Sequence, residues 1–178
     1  MRRLNGALAL LMIAPIGVAK EYVAPTQPPL ATLTIQNKTS GSILPVTFSN
    51  PKKCSGMLML AKGPLWLGKR IQQVKESVIV AIDASKEFTL FVETTSGSSE
   101  GISSCRIIYT FKPEEGRQYV ATSSADGQSC SLTLERESID ASGAKSLETE
   151  LTARRRELPG FTMSGFGPQC KEEAASAK

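Results

Sequence analysis

The sequence predicts an all-β chain: an antiparallel β-sandwich of about seven to eight strands with a short C-terminal helical or irregular extension. Three observations predict it. Short runs of period-2 apolar alternation recur from Leu33 to Leu134, separated by clusters of Gly, Pro, Asn, Asp and Ser. Ser104–Arg136 holds three such runs around two turn signals, the pattern of an antiparallel meander. Four cysteines follow an apolar leader, which fits a small exported domain stapled by two disulfides.

The leader comes first. Arg2 and Arg3 form a charged start, Leu4–Val18 carries no charge, and Gly17-Val18-Ala19 offers a small-residue cleavage site. This is the layout of a secretory signal peptide cleaved after Ala19. The stretch is too short, and too interrupted by Pro15 and Gly17, for an uncleaved membrane anchor. No cysteine stands at the cleavage site to carry a lipid, and the residues around the arginine pair do not extend a twin-arginine pattern. The expected organisation is a signal peptide over 1–19, a Pro-rich lead-in over 20–30, a β-sandwich domain over 31–136, and a C-terminal extension over 137–178 tied back through Cys170. The expected location is periplasmic or secreted. Loss of Arg2 and Arg3 lowers the formal charge from +4 to about +2. That balance argues against a nucleic-acid partner. No later apolar run is long enough to span a membrane.

Within the domain, Glu21–Leu30 reads as extended and mobile. Thr32–Asn37 is a strand with Leu33 and Ile35 on one face, and Lys38–Ser42 is a turn. The sequon Asn37-Lys38-Thr39 reads as a chance match. Pro45–Phe48 is a short strand. Met57–Ala61 is an apolar run suited to a strand buried on both faces. Ser77–Asp83 and Glu87–Glu93 are strands joined by Ala84-Ser85-Lys86, which predicts a hairpin. Thr94–Ser103 is polar and Ser/Gly-rich, which predicts a loop.

The meander follows. Cys105, Ile107, Tyr109 and Phe111 share a face. Lys112–Gly116 supplies a turn, in which Pro113 presets one φ and Gly116 provides a positive one. Tyr119 and Ala121 continue that face, Asp126-Gly127 signals a second tight turn, and Cys130, Leu132 and Leu134 complete it. Symmetric pairing puts Tyr109 opposite Tyr119, and Tyr119 opposite Leu134. It also puts Cys105 and Cys130 two strands apart, about 9–10 Å between Cα atoms. A disulfide needs about 7 Å or less, so a regular meander disfavours Cys105–Cys130. Of the two remaining connectivities, Cys54–Cys105 with Cys130–Cys170 is the expected one. Ala144–Leu158 has Leu147, Leu151 and Leu158 at helical spacings and reads as a helix, with an edge strand over LETELTARR as the rival.

The segment Phe111–Tyr119, F-x-P-x-x-G-x-x-Y, resembles a hairpin shared by many small exported bacterial proteins and lipoproteins with immunoglobulin-like or transthyretin-like β-sandwich domains. In these a polar strand pair such as SKEFTL precedes and a cysteine-bearing strand follows. The resemblance covers Val78–Leu134. It implies architecture and not function, because such sandwiches host many roles. The lipid-bearing cysteine of the lipoprotein members is missing, which favours soluble periplasmic placement.

Chemistry is sparse. The chain has no histidine, which removes Ser-His-Asp and Cys-His nucleophile systems and histidine metal sites. The cysteines read as disulfides, and no CxxC pair suggests zinc. Glu114 and Glu115 are adjacent in a turn and do not face each other across a substrate as a glycosidase pair must. Ser96–Gly101 lacks the lysine of a phosphate loop. No catalytic, cofactor or metal residue is therefore expected. Besides the sandwich edges, to any of which a partner strand could add, two contact candidates remain. Leu65, Trp66, Leu67, Lys69 and Arg70 form a loop that either folds the single tryptophan onto the core or docks a partner or membrane surface. Arg154, Arg155 and Arg156 are either a solvated basic face or a contact for anionic lipid or polysaccharide. The expected role is a non-enzymatic cell-envelope binding or structural module, with an envelope protein or surface component as partner. The alternatives are a secreted inhibitor or immunity protein directed at a hydrolase, and a histidine-free hydrolase. The SGxxY-type motif of periplasmic lysozyme inhibitors is absent.

Overall fold

In a computed structural model, residues 20–61, 77–98, 101–125, 129–157 and 170–171 are described. The strands are β1 (Lys20–Glu21), β2 (Leu30–Asn37), β3 (Ser42–Asn50), β4 (Ser55–Met59), β5 (Ser77–Asp83), β6 (Phe88–Ser98), β7 (Gly101–Phe111), β8 (Gln118–Ala125), β9 (Cys130–Ile139), β10 (Lys145–Thr149) and β11 (Arg154–Arg155). They form a six-stranded sheet ordered β1-β4-β3-β6-β7-β11 and a five-stranded sheet ordered β10-β9-β8-β2-β5. The two sheets pack face to face, so the expected all-β sandwich is present. Both sheets are mixed, because β1 runs parallel to β4 and β2 parallel to β8.

The core between the sheets is built by alternation. Leu33 and Ile35 of β2, Ile82 of β5, Tyr119 and Ala121 of β8, and Leu132 and Leu134 of β9 face Phe88, Leu90 and Val92 of β6 and Ile107 and Phe111 of β7. An aromatic row runs through it. Tyr22 meets Phe88 edge-on at 6.3 Å, Phe88 meets Phe111 at 5.9 Å, and Phe111 meets Tyr119 at 5.1 Å between ring centroids. These separations suit tilted and edge-to-face pairs.

The connection after Phe111 corrects the meander. β7 pairs with β6 and β11, whereas β8 pairs with β9 and β2. Lys112–Arg117 is therefore an arch from one sheet to the other and not a hairpin turn. Phe111 and Tyr119 both point inward in either geometry, so alternation cannot separate the two. The arch is held on β2: the Gly116 N–H donates to Leu30 O at 2.7 Å, and the Thr32 N–H to Arg117 O at 2.9 Å. Gly116 sits at φ 75°, where a side chain is disfavoured. The Tyr119 hydroxyl accepts from the Glu114 N–H at 2.9 Å and closes the arch. Tyr119 lies opposite Arg136, and Leu134 opposite Ala121, while Tyr109 pairs with Leu90 and Arg155. The expected Tyr109–Tyr119–Leu134 row does not form.

The same error occurs at Asp83–Phe88. β5 lies in the five-stranded sheet and β6 in the six-stranded one, so this connection also crosses the sandwich. The hairpin belongs instead to β6 and β7, which pair from Phe88↔Phe111 to Ser98↔Gly101. The stretch read as a loop, Thr94–Ser103, is mostly the distal half of that hairpin. The Asp126-Gly127 signal does join an antiparallel pair, β8 and β9, though the turn residues themselves lie outside the described ones. Met57–Ala61 does not lie between two long strands: β4 borders β3 and the two-residue β1, and among its residues Met59 is buried while Met57 and Leu58 are half-buried.

The disulfides are Cys105–Cys130, with Cα atoms 6.4 Å apart, and Cys54–Cys170, at 5.5 Å. The expected pairing of Cys54 with Cys105 and Cys130 with Cys170 is overturned. Cys105 and Cys130 face each other across the sandwich from opposite sheets, so a count of strands within one sheet does not apply. Cys54 holds φ 45°, a left-handed backbone uncommon outside glycine, at a turn where its N–H donates to Pro51 O.

Ala144–Leu158 is not helical over its described residues. β10 pairs with β9 as an edge strand, from Lys145↔Ile139 to Thr149↔Glu135, and Arg154–Arg155 pairs with β7. Between them the Glu150 carboxylate accepts from the Thr152 N–H and hydroxyl at 2.8 and 2.7 Å. That turn carries the chain from one sheet to the other. The helical spacing of the leucines is accidental: Leu147 and Leu151 are exposed. Replacing Tyr119 with Phe removes the acceptor that closes the arch, and urea unfolding should show a loss of about 1 kcal/mol.

Candidate functional site

The first residues of the expected lead-in, Lys20–Tyr22, are paired and packed, while Val23 beyond them is exposed. Lys20 and Glu21 pair with Leu58 and Met59 of β4, and the Tyr22 N–H donates to Met59 O at 2.9 Å. The Tyr22 hydroxyl donates to Ala81 O of β5 at 3.1 Å. Tyr22 thus bridges the two sheets where β4 and β5 are the outermost long strands. Beside it lies a cleft of about 500 Å³, walled by Tyr22, Val23, Phe48, Leu58 and Phe88, with Lys20, Glu21, Asp83, Lys86 and Glu87 at its rim. This size lies within the range of small-ligand sites. Rim charges of both signs give it no preference for an anion or a cation.

Electrostatics at the cleft are set by local bonds. Asp83 accepts from the Ser85 N–H and hydroxyl at 2.9 and 2.6 Å, and pairs with Lys86 at 2.9 Å. The Ser85 hydroxyl is the main cause that holds its carboxyl down at about 2. Its stabilising contribution is present above the ordinary aspartate range and is lost as pH falls toward 2. Burial, and then the Asp83 charge, push the Tyr22 phenol up to about 12. Burial also raises Tyr119.

The second feature is the outer edge of β5. The Thr32 N–H points to Arg117 O, away from β5, so Thr32–Ala81 is a non-hydrogen-bonded pair. Ala81 therefore turns its N–H and C=O outward, which is why Tyr22 can reach that carbonyl. Ladder alternation gives Ile79 and Ser77 the same outward orientation. Among the described residues no strand pairs with this edge. Ile79 is 69% exposed on it.

Of the residues singled out in the sequence, Leu65, Trp66, Leu67, Lys69 and Arg70 lie outside the described ones. Arg154, Arg155 and Arg156 do not form one patch. Arg154 pairs with Glu87 at 2.9 Å, Arg155 is exposed, and Arg156 is 4% exposed. Arg156 donates to Thr110 Oγ1 at 3.3 Å, to Lys52 O at 2.9 Å and to Lys171 O at 3.1 Å. It fastens the Cys54 turn and the Cys170 tail to the outer face of the six-stranded sheet. Asn37 is engaged in its own turn, accepting from the Thr39 N–H and hydroxyl and donating to Gly41 O. Glu114 and Glu115 are exposed on the arch. Tyr22 and the β5 edge were missed. The run SVIVAID carries the signal of a strand that is uncharged up to Ile82, but its place at an edge is set by topology.

Among the described residues no group of three or more Cys, His, Asp or Glu side chains is placed to hold a metal ion, and no helix is long and apolar enough to cross a membrane. Compared with protein-family models, curated proteins and solved structures, the chain finds no match in any of the three.

Replacing Arg156 with Ala removes a charged donor from two part-buried carbonyls and from the buried Thr110 hydroxyl and should cost about 2–3 kcal/mol in chemical denaturation. Replacing Arg155 with Ala should change stability by no more than about 0.5 kcal/mol. Phenolate absorbance near pH 12 should lose amplitude in Tyr22→Phe. Because the folded state keeps that proton more tightly, stability should fall as pH rises from about 10 toward 12, and less so in Tyr22→Phe.

Proposed function

We infer that this chain is an exported, non-enzymatic cell-envelope protein that acts as a binding or structural module through a sheet edge. One observation carries the reading: over Ser77–Ile82 β5 is uncharged and offers outward backbone groups, and exposed edges recruit extended partner segments by strand addition. Two disulfides support an oxidising, extracytoplasmic setting. Arg2–Ala19 supports delivery there by a cleaved signal peptide. The partner class is an envelope protein or surface component that presents an extended strand.

Two measurements test this. Intact-mass analysis of the protein recovered from its native compartment should give an N-terminus at Lys20. A photo-crosslinker placed at position 79 in the native host should join the protein to a discrete partner, whereas one at exposed Ser131 on the neighbouring sheet surface should not. Retention of residues 1–19 in the cytoplasm, or equal labelling from both positions, would sink the reading.

A further inference from the structure

The four sheet edges are not treated alike. At one end of the six-stranded sheet β1 has two residues, Lys20 and Glu21; at the other, β11 has two, Arg154 and Arg155. β10, at one end of the five-stranded sheet, carries Lys145 and Glu148 in five residues. Short strands and charged side chains are the usual protection of an edge against pairing. β5 has neither. It is seven residues long and uncharged from Ser77 to Ile82, with Ile79 exposed. Among the described residues, then, β5 is the edge left open where the other three are short or charged, and such an edge is suited to pairing.

We propose that β5 pairs antiparallel with β5 of a second copy, joining two five-stranded sheets across a two-fold axis at Ile79. This rests on the reading of the β5 edge as a binding surface and names its partner. The outward groups fit it. Ile79 of one copy lies opposite Ile79 of the other, and Ser77 lies opposite Ala81. All of these turn their N–H and C=O groups toward the seam, as hydrogen-bonded pairs require. Val78 lies opposite Val80, so the half-buried residues that line the inner face meet β-branched neighbours. No like charges oppose each other, since the paired residues carry none. Ala81 O keeps Tyr22 as a donor and still has a second lone pair for the seam. A two-fold pairing is closed, so it yields a dimer and not a filament. The seam is short against a standard interface, so the dimer is a weak one.

Sedimentation velocity of the mature protein between about 10 µM and 1 mM tests this, read beside amide hydrogen exchange at Ile79 and Ala81. The expected result is a monomer–dimer shift with protection of both amides that grows with concentration. Ile79→Lys, whose fold is checked by circular dichroism, should weaken dimerisation at least tenfold. A dimer indifferent to Ile79→Lys, or a monomer at 1 mM with both amides unprotected, overturns the proposal. The two readings fail separately. A purified monomer whose position 79 crosslinks to a different envelope protein in the host rejects the second copy and leaves the edge as a binding surface. A monomer without any edge-specific crosslink rejects both.

Discussion

The six-stranded sheet is buried on both faces at its centre, and much of the rest of the fold answers to that constraint. Along β6, Phe88, Leu90 and Val92 face the five-stranded sheet, while Thr89 and Phe91 face the other way and are buried as well. A sandwich of two sheets covers only one of these faces. The other needs its own cover, and the chain supplies it from distant segments. Val46, Phe48, Met59, Phe91 and Ile108 form a second core closed by the Cys54–Cys170 disulfide. Thr89 and Thr110 lie opposite each other on this face and share a hydrogen bond at 2.8 Å. Thr110 in turn accepts from Arg156. A buried polar row of this kind is tolerable only when its members are bonded. Arg156 is thus a structural fastener on the tail, though in sequence it looks like the last residue of a basic cluster.

Covering that face fixes the course of the chain's end. β10 borders the five-stranded sheet, the Glu150 turn crosses over, and β11 borders the six-stranded sheet. From there the Arg156 N–H donates to Ile108 O, and the Lys171 N–H donates to Glu157 O. The N-terminal segment does similar work on the other side, where Tyr22 ties β4 to β5 and extends the aromatic row to Tyr119. Both ends of the described chain therefore act as clasps on a two-sheet body. Among the described residues, the long strand left without a clasp along most of its edge is β5.

Much of this was legible one strand at a time. The alternating runs located β2, β3, β5, β7, β8 and β9, and the inward side chains of β7, β8 and β9 were assigned correctly. Which strands pair was not legible. An arch such as Lys112–Arg117 and a hairpin turn have the same composition, and both leave Phe111 and Tyr119 facing inward. The register argument against Cys105–Cys130 was sound for one sheet and failed because β7 and β9 lie in two. Thr94–Ser103 was read as a loop from its serines and glycines, although pairing to a partner strand overrides weak local propensity. The exposed Leu147 and Leu151 shaped a helical reading that tertiary pairing overturned. The β5 edge was hidden for the same reason: SVIVAID reads as a strand wherever it lies, and only the order of strands makes it an edge.

The most direct test of this architecture is disulfide mapping of the mature protein by peptide mass spectrometry without reduction. The expected result is Cys54 joined to Cys170 and Cys105 joined to Cys130. The first bond places the tail over the outer face of the six-stranded sheet, and the second places β7 and β9 across the sandwich from each other. Cys54 joined to Cys105, with Cys130 joined to Cys170, would contradict both placements and return β7, β8 and β9 to a single-sheet meander.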